Sequence, residues 1–275
     1  MAGQERAPEK GALAREAPRV LTPGDEAARE ALASLNYGEA PQIGVLGDTG
    51  CGKTIAMNAI VALYLKMSPG WVLVVDDKEL RPRYEGQQRR DVADLVARPA
   101  DPNGSRVIVF RGVPSQGVDA DPEEVAELAW KRAARGRKSL VVHDELVAGR
   151  TAFIKSRQWR RGVEYMPKSF TKGRSPGVGD LWGAQSPQEV PLDPFEQSHV
   201  ILCFRLAGLG LEALNARDYL AGGADVVIPK LPGPPLPPDQ RGEFVLLRRG
   251  LPWNGKVYKF GAPPAANDNA SRRAA

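Results

Sequence analysis

Short apolar runs recur along the chain at 43 to 46 (IGVL), 71 to 75 (WVLVV), 106 to 110 (RVIVF), 139 to 143 (SLVVH), 177 to 184 (GVGDLWGA) and 199 to 204 (HVILCF). None alternates strictly with polar residues, so each reads as a strand buried on both faces. Helices are expected in the gaps at 53 to 66, 121 to 135 and 209 to 221. Strands separated by helices imply parallel pairing with right-handed crossovers, and the expected fold is a three-layer α/β sheet.

The middle helix carries its own punctuation. Asp121 is the candidate N-cap, Pro122 the first helical residue, Glu123 and Glu124 lie in the first turn, and Lys131, Arg132 and Arg135 at the end. Capping and the helix dipole favour that order, so the basic group from Lys131 to Lys138 needs no ligand to explain it.

The ends of the chain have a different character. Residues 1 to 30 are rich in Ala, Glu, Arg and Pro without sustained apolar periodicity, and 262 to 275 contain no large apolar residue, so both read as mobile. One folded domain is expected over 31 to 228. Six of the ten residues 229 to 238 are proline, which reads as a semi-rigid extended segment, and 243 to 250 with 255 to 260 read as a terminal hairpin.

Composition narrows the class. The 275 residues are 42% hydrophobic and 26% charged with a formal net charge of +5, an ordinary globular balance that decides nothing about a polyanionic partner. Cys51 and Cys203 are the only cysteines, too few for a disulfide framework and without metal-ligand spacing. The longest nearly apolar run, 56 to 65, is too short to span a bilayer. The chain is therefore expected in a reducing, cytoplasmic compartment.

The strongest motif is Gly47-Asp48-Thr49-Gly50-Cys51-Gly52-Lys53-Thr54, a Walker A pattern placed after a strand and before a helix. Glycines let backbone N–H groups curl around phosphate oxygens, and the helix N-terminus adds a fixed positive partial charge. Lys53 is expected to hold the β and γ phosphates of ATP, and Thr54 to ligate Mg²⁺. A second strand ends in His143-Asp144-Glu145. It is expected beside the strand of the phosphate loop, with Asp144 near the metal and Glu145 as general base for the attacking water. His143 reads as a core histidine. A small-molecule kinase would share the loop, but an acid dedicated to water is out of place there.

Together these motifs resemble the HerA–FtsK superfamily of DNA-pumping ATPases, and within it the genome-packaging ATPases of tailless double-stranded DNA viruses with an internal membrane. The resemblance covers roughly residues 43 to 206. After GDTGCGKT come VVDDK (74 to 78), similar to the family's Asp-x-Lys, then LVVHDE, then the segment Gly173 to Pro187 containing Arg174 and Gln185, then ILCFRL containing Arg205.

The resemblance implies a RecA-like (ASCE) P-loop NTPase fold and a homo-oligomeric ring. It implies that Gln185 senses the γ-phosphate or the attacking water, and that Arg174 is an arginine finger for the neighbouring subunit. Such a finger is worth about 10³ to 10⁵ in rate. A strand of seven residues at about 3.3 Å each keeps Arg174 some 23 Å from the nucleotide that Gln185 reads. Arg205 is the alternative, as a sensor in its own subunit or a second finger.

Between Arg150 and Arg174 eight basic residues face one acid, a net of +7, with Phe153, Trp159, Tyr165 and Phe170 interleaved. A motor that grips a phosphate backbone without reading sequence needs such cations, so Lys155, Arg157, Arg160, Arg161, Lys168 and Lys172 are the candidate contacts to double-stranded DNA. Docking on an acidic capsid or portal protein is the competing role for the same segment. The expected function is ATP-driven translocation of double-stranded DNA in genome packaging. A HerA-like helicase or conjugation-type pump shares the catalytic residues, and a P-loop kinase or nucleotide-gated assembly factor is the rival from another class.

Overall fold

Nine of the strands join in one sheet, and their order explains why the apolar runs lack alternation. The computed structural model describes residues 23–76, 83–112, 120–146, 153–154, 158–159, 163–233 and 242–260. In chain order the strands are β1 (Gln42–Leu46), β2 (Trp71–Val75), β3 (Gln87–Arg89), β4 (Val107–Phe110), β5 (Ser139–His143), β6 (Phe153–Ile154), β7 (Gln158–Trp159), β8 (Val178–Ala184), β9 (Val200–Cys203), β10 (Glu243–Leu247) and β11 (Val257–Lys259). The helices are α1 (Pro23–Ala31), α2 (Lys53–Met67), α3 (Val92–Ala97), α4 (Pro122–Ala133), α5 (Tyr165–Lys172), α6 (Leu192–Gln197), α7 (Leu209–Asn215) and α8 (Ala224–Val227).

The sheet runs β11-β10-β9-β1-β8-β5-β2-β4-β3. All pairs from β9 to β3 are parallel, and β10 and β11 add antiparallel at the β9 edge. On β2, Val72 and Val74 join the core beneath α1 and α2, whereas Leu73 and Val75 join the core beneath α3 and α4. Successive side chains point to opposite faces and both faces are covered, so both sets must be apolar. The three-layer α/β fold is that of a P-loop NTPase.

Several expectations need correction. The strand β5 does not neighbour β1, because β8 lies between them and pairs with both. The packed body begins at α1, whose Ala27, Ala28 and Ala31 are buried in the core, and not at residue 31. Small alanines on one helical face sufficed there, a signal weaker than a stripe of large residues. The hairpin β10–β11 extends the main sheet at its β9 edge.

The helix expected over 209 to 221 stops at Asn215, since Asp218 adopts a left-handed φ of 59° and Gly223, at 84°, caps α8. Inside the basic segment the structure places α5, and its first N–H groups are capped by a distant residue. Glu123 Oε1 accepts from the N–H groups of Glu164 and Tyr165 at 2.7 Å, and its Oε2 from that of Met166 at 2.9 Å. Residues 1–22 and 261–275, the segment 234–241 and most of 147–162 lie outside the described residues. No described helix is long and apolar enough to cross a membrane.

Candidate nucleotide site

The phosphate loop is built where β1 ends and α2 begins, at the carboxyl ends of the parallel strands. Gly47 has φ 152° and no room for a side chain, because a Cβ there would lie 2.6 Å from Phe204 Cβ and 2.8 Å from Cys51 Sγ. Gly52 takes φ 104° in capping α2, a conformation L side chains avoid. Lys53 starts that helix and is buried, with Nζ donating to the carbonyls of Gly47 at 2.7 Å and Asp48 at 3.0 Å. The Cys51 thiol is pushed up by its burial. A cavity of about 310 Å³ opens above the loop, lined by Thr49, Gly50, Gly52, Lys53, Thr54, Ile55, Arg83 and Gln185.

Asp144 and Glu145 follow β5 and reach the loop across the intervening β8. Gly183 of β8 permits this, since a Cβ there would lie 2.7 Å from the Asp144 carbonyl oxygen. The Thr54 hydroxyl donates to Asp144 Oδ1 at 3.0 Å. A hydroxyl and a carboxylate in contact at the foot of a glycine-lined cradle are hard oxygen donors, so the residues fit Mg²⁺ beside a nucleotide phosphate.

Glu145 is tied to the end of β8. Gln185 donates from its backbone N–H to Glu145 Oε1 at 3.2 Å and from Nε2 to Oε2 at 2.8 Å. Its Oε1 accepts from the Thr49 hydroxyl of the phosphate loop. Loop, carboxylate and glutamine thus form one hydrogen-bonded group, although 136 residues separate Thr49 from Gln185.

Two residues of the site had no signal in the sequence. Arg83 Nη1 donates to Thr54 Oγ1 at 3.1 Å and lies 3.5 Å from Asp144 Oδ2. Tyr84, fully buried, donates its hydroxyl to Asp144 Oδ1 at 3.0 Å. Burial, and then the negative charge of Asp144, hold the Tyr84 phenol well above its ordinary pKa, so it remains a donor. The pair follows the VVDDK segment, of which Asp76 is buried and accepts from the Arg83 N–H at 3.3 Å, while Lys78 lies outside the described residues.

The arginines separate. Arg174 precedes β8, at the opposite end of that strand from Gln185, and is half-exposed and paired with Glu39. Arg205 follows β9 and its carbonyl accepts from the Asp48 N–H at 3.1 Å, but its side chain is not among those lining the cavity. Of the DNA candidates, Lys155, Arg157, Arg160 and Arg161 lie outside the described residues. Lys168 and Lys172 are both on α5. Lys168 Nζ sits 4.5 Å from the centre of the Trp130 ring, while Lys172 is exposed. His143 is a buried core residue whose Nε2 lies 3.6 Å from Asp180 Oδ1.

A larger cavity, about 430 Å³, opens where β2 begins and is lined by Pro69, Gly70, Trp71, Arg132, Gly136, Arg137 and Lys138. Arg132 stacks on Trp71 at 4.0 Å there, and burial, followed by the charge of Arg137, lowers its pKa to about 10. None of the nucleotide-site residues borders it, so size is no guide to the chemistry here.

The fold and the phosphate loop define the class, a P-loop NTPase. Three solved structures are similar to about four fifths of this chain. The genome packaging NTPase B204 from Sulfolobus turreted icosahedral virus 2 in complex with AMPPCP matches with a TM-score of 0.52 and 11% identity, covering 80% of this chain and 97% of that one. The same protein in complex with AMP gives 0.53, 12%, 81% and 97%. B204, the DNA-packaging ATPase from Sulfolobus Turreted Icosahedral Virus, gives 0.53, 15%, 80% and 97%. These likenesses establish the fold. No family model and no curated protein matches the sequence.

Proposed function

We infer that the chain is the ATPase subunit of a double-stranded DNA translocation motor, with viral genome packaging as its task. The observation that carries the reading is the Thr49–Gln185–Glu145 group, because it couples the phosphate loop to a carboxylate able to handle water. The structural likeness to B204, named as a genome packaging NTPase, supports the packaging task.

In this reading the N–H groups of Gly47 to Lys53 cradle the phosphates of ATP and Lys53 leaves its carbonyl partners to contact the β and γ phosphates. Thr54 and Asp144 hold Mg²⁺, which when bound neutralises charge on the phosphates. Glu145 accepts a proton from the attacking water while Gln185 orients that water or the γ-phosphate. Arg174 lies too far along β8 to serve its own site and acts in trans, which requires a ring of subunits. Lys155, Arg157, Arg160, Arg161, Lys168 and Lys172 supply sequence-independent contacts to the DNA backbone, and a capsid or portal protein is the further partner.

The test is steady-state ATP hydrolysis with and without long double-stranded DNA for the native chain, Glu145→Gln, Arg174→Ala and an equal mixture of the two variants. Stimulation by DNA, two inactive single variants and partial recovery on mixing are expected. Turnover indifferent to DNA and to Arg174, or phosphate transfer to an acceptor, would overturn the motor in favour of an assembly factor or kinase.

A further inference from the structure

Asp144 is buried, with only 2% of its side chain exposed, and a carboxylate taken out of water needs compensation by a cation and by hydrogen bonds. The hydroxyls of Thr54 and Tyr84 both donate to Oδ1, each at 3.0 Å. The Arg83 guanidinium lies 3.5 Å from Oδ2, and the same Nη1 donates to Thr54 Oγ1 at 3.1 Å. The arginine therefore engages both oxygens that the metal would need.

The attachment of Arg83 has two parts. Its backbone is pinned, with the N–H donating to Asp76 Oδ2 at 3.3 Å and the carbonyl accepting from Asn58 Nδ2 at 3.1 Å, an amide that also donates to the Thr54 carbonyl at 3.0 Å. Its side chain is 42% exposed. The guanidinium can thus swing toward solvent while the backbone stays fixed to α2 and to the end of β2.

We propose that Arg83 competes with Mg²⁺ for Thr54 and Asp144, so that metal and nucleotide load only by displacing its guanidinium. The proposal rests on the nucleotide reading above. A divalent ion and a guanidinium on one carboxylate repel each other. Arg83 thereby sets the Mg²⁺ concentration at which the site fills. The pinned backbone keeps the displaced guanidinium over the cavity it already lines.

The experiment titrates Mg²⁺ against binding of a fluorescent non-hydrolysable ATP analogue to the full chain, native and with Arg83→Ala, Arg83→Gln or Arg83→Lys, reading anisotropy rather than turnover. Because one partner of the ion pair is half-exposed, its removal is expected to lower the Mg²⁺ midpoint about three- to fivefold in the Ala and Gln variants. The Lys variant, which keeps a cation, should lie between them and the native chain. Thermal melting without metal verifies that each variant is folded, and two neutral replacements guard against one of them failing.

Two results overturn the proposal. In one, both neutral variants bind the analogue with the native midpoint. In the other the midpoint rises, which would make Arg83 a phosphate ligand and not a competitor of the metal. If the native chain binds no analogue at any Mg²⁺ concentration, the nucleotide reading itself fails, an outcome distinct from a native chain that binds and an unchanged variant.

Discussion

Gln185 holds Glu145 by both of its nitrogens, the backbone N–H on Oε1 at 3.2 Å and Nε2 on Oε2 at 2.8 Å, so the carboxylate after β5 takes its position from the residue after β8. The pairing fixes the carboxylate's orientation, which the general-base role proposed above requires.

Replacing Glu145 by Gln keeps the size and shape of the side chain and removes the proposed base. Hydrolysis should fall by about 10² to 10⁴, the range expected for loss of a positioned general base. Binding of the ATP analogue should be retained, and comparing turnover with anisotropy on the same preparation separates the two. An equal loss of both would assign Glu145 to binding.

Gly183 offers a test of the close approach between β8 and Asp144. A methyl group at 183 would sit 2.7 Å from the Asp144 carbonyl oxygen and 3.1 Å from Met57 Sδ, and the first of these is backbone that cannot swing away. Gly183→Ala should displace Asp144 from Thr54, lowering stability by about 1 to 3 kcal/mol, the usual cost of overpacking, and raising the Mg²⁺ midpoint for analogue binding. Chemical denaturation with a parallel Mg²⁺ titration measures both, and native values for the two would refute the steric account.

His199 links three elements and gives the stability a pH dependence. Its Nε2 lies 2.8 Å from the Ala31 carbonyl and its Nδ1 accepts from the Gln42 N–H at 3.3 Å, a pattern that only the neutral ring satisfies. Burial, opposed by that carbonyl bond and aided by Arg174 and Arg248, holds its folded pKa below the ordinary value of 6.5. The unfolded chain then binds the extra proton first, so this contribution is fully present above about pH 6.5 and is lost as pH falls through the depressed folded value. Melting temperatures across that interval should decline more steeply for the native chain than for His199→Gln. Parallel curves would show that His199 is not the titrating group.

Trp182 is fully buried in β8, stacks edge-on against Phe195 at 5.1 Å and donates Nε1–H to Ser198 Oγ at 2.9 Å. Trp182→Ala should destabilise the fold by about 3 to 5 kcal/mol through the cavity it leaves. Trp182→Phe should cost much less, because Ser198 keeps its own donation to the Pro194 carbonyl at 2.6 Å. Urea denaturation distinguishes these, and equal costs would locate the energy in the indole hydrogen bond.

The apolar strands β1, β2, β4, β5, β8 and β9, the phosphate loop and the N-cap of α4 were legible in the sequence because each is written in a few adjacent residues. Gly47 to Thr54 is one turn of chain whose glycines and lysine act together, and Asp121 caps the helix that Pro122 begins by accepting from the Glu123 N–H at 2.9 Å. Runs such as WVLVV announce burial on both faces because a strand's period is two residues and both sets are apolar.

Only the tertiary structure decided that β8 inserts between β1 and β5, that α1 and the terminal hairpin belong to the main body, and that Arg83 and Tyr84 flank Asp144. Strand order in a parallel sheet is set by crossovers whose packing no single strand encodes, and β8 could be read as a strand without revealing its neighbours. Arg83 and Tyr84 stand 61 and 60 residues from the carboxylate they meet, in a stretch with no periodic or motif signal. Local chain chemistry determined which groups could bind a phosphate. The fold decided which cation and which hydroxyls meet the buried carboxylate, since that requires two separate turns of chain to be brought to the same end of the sheet.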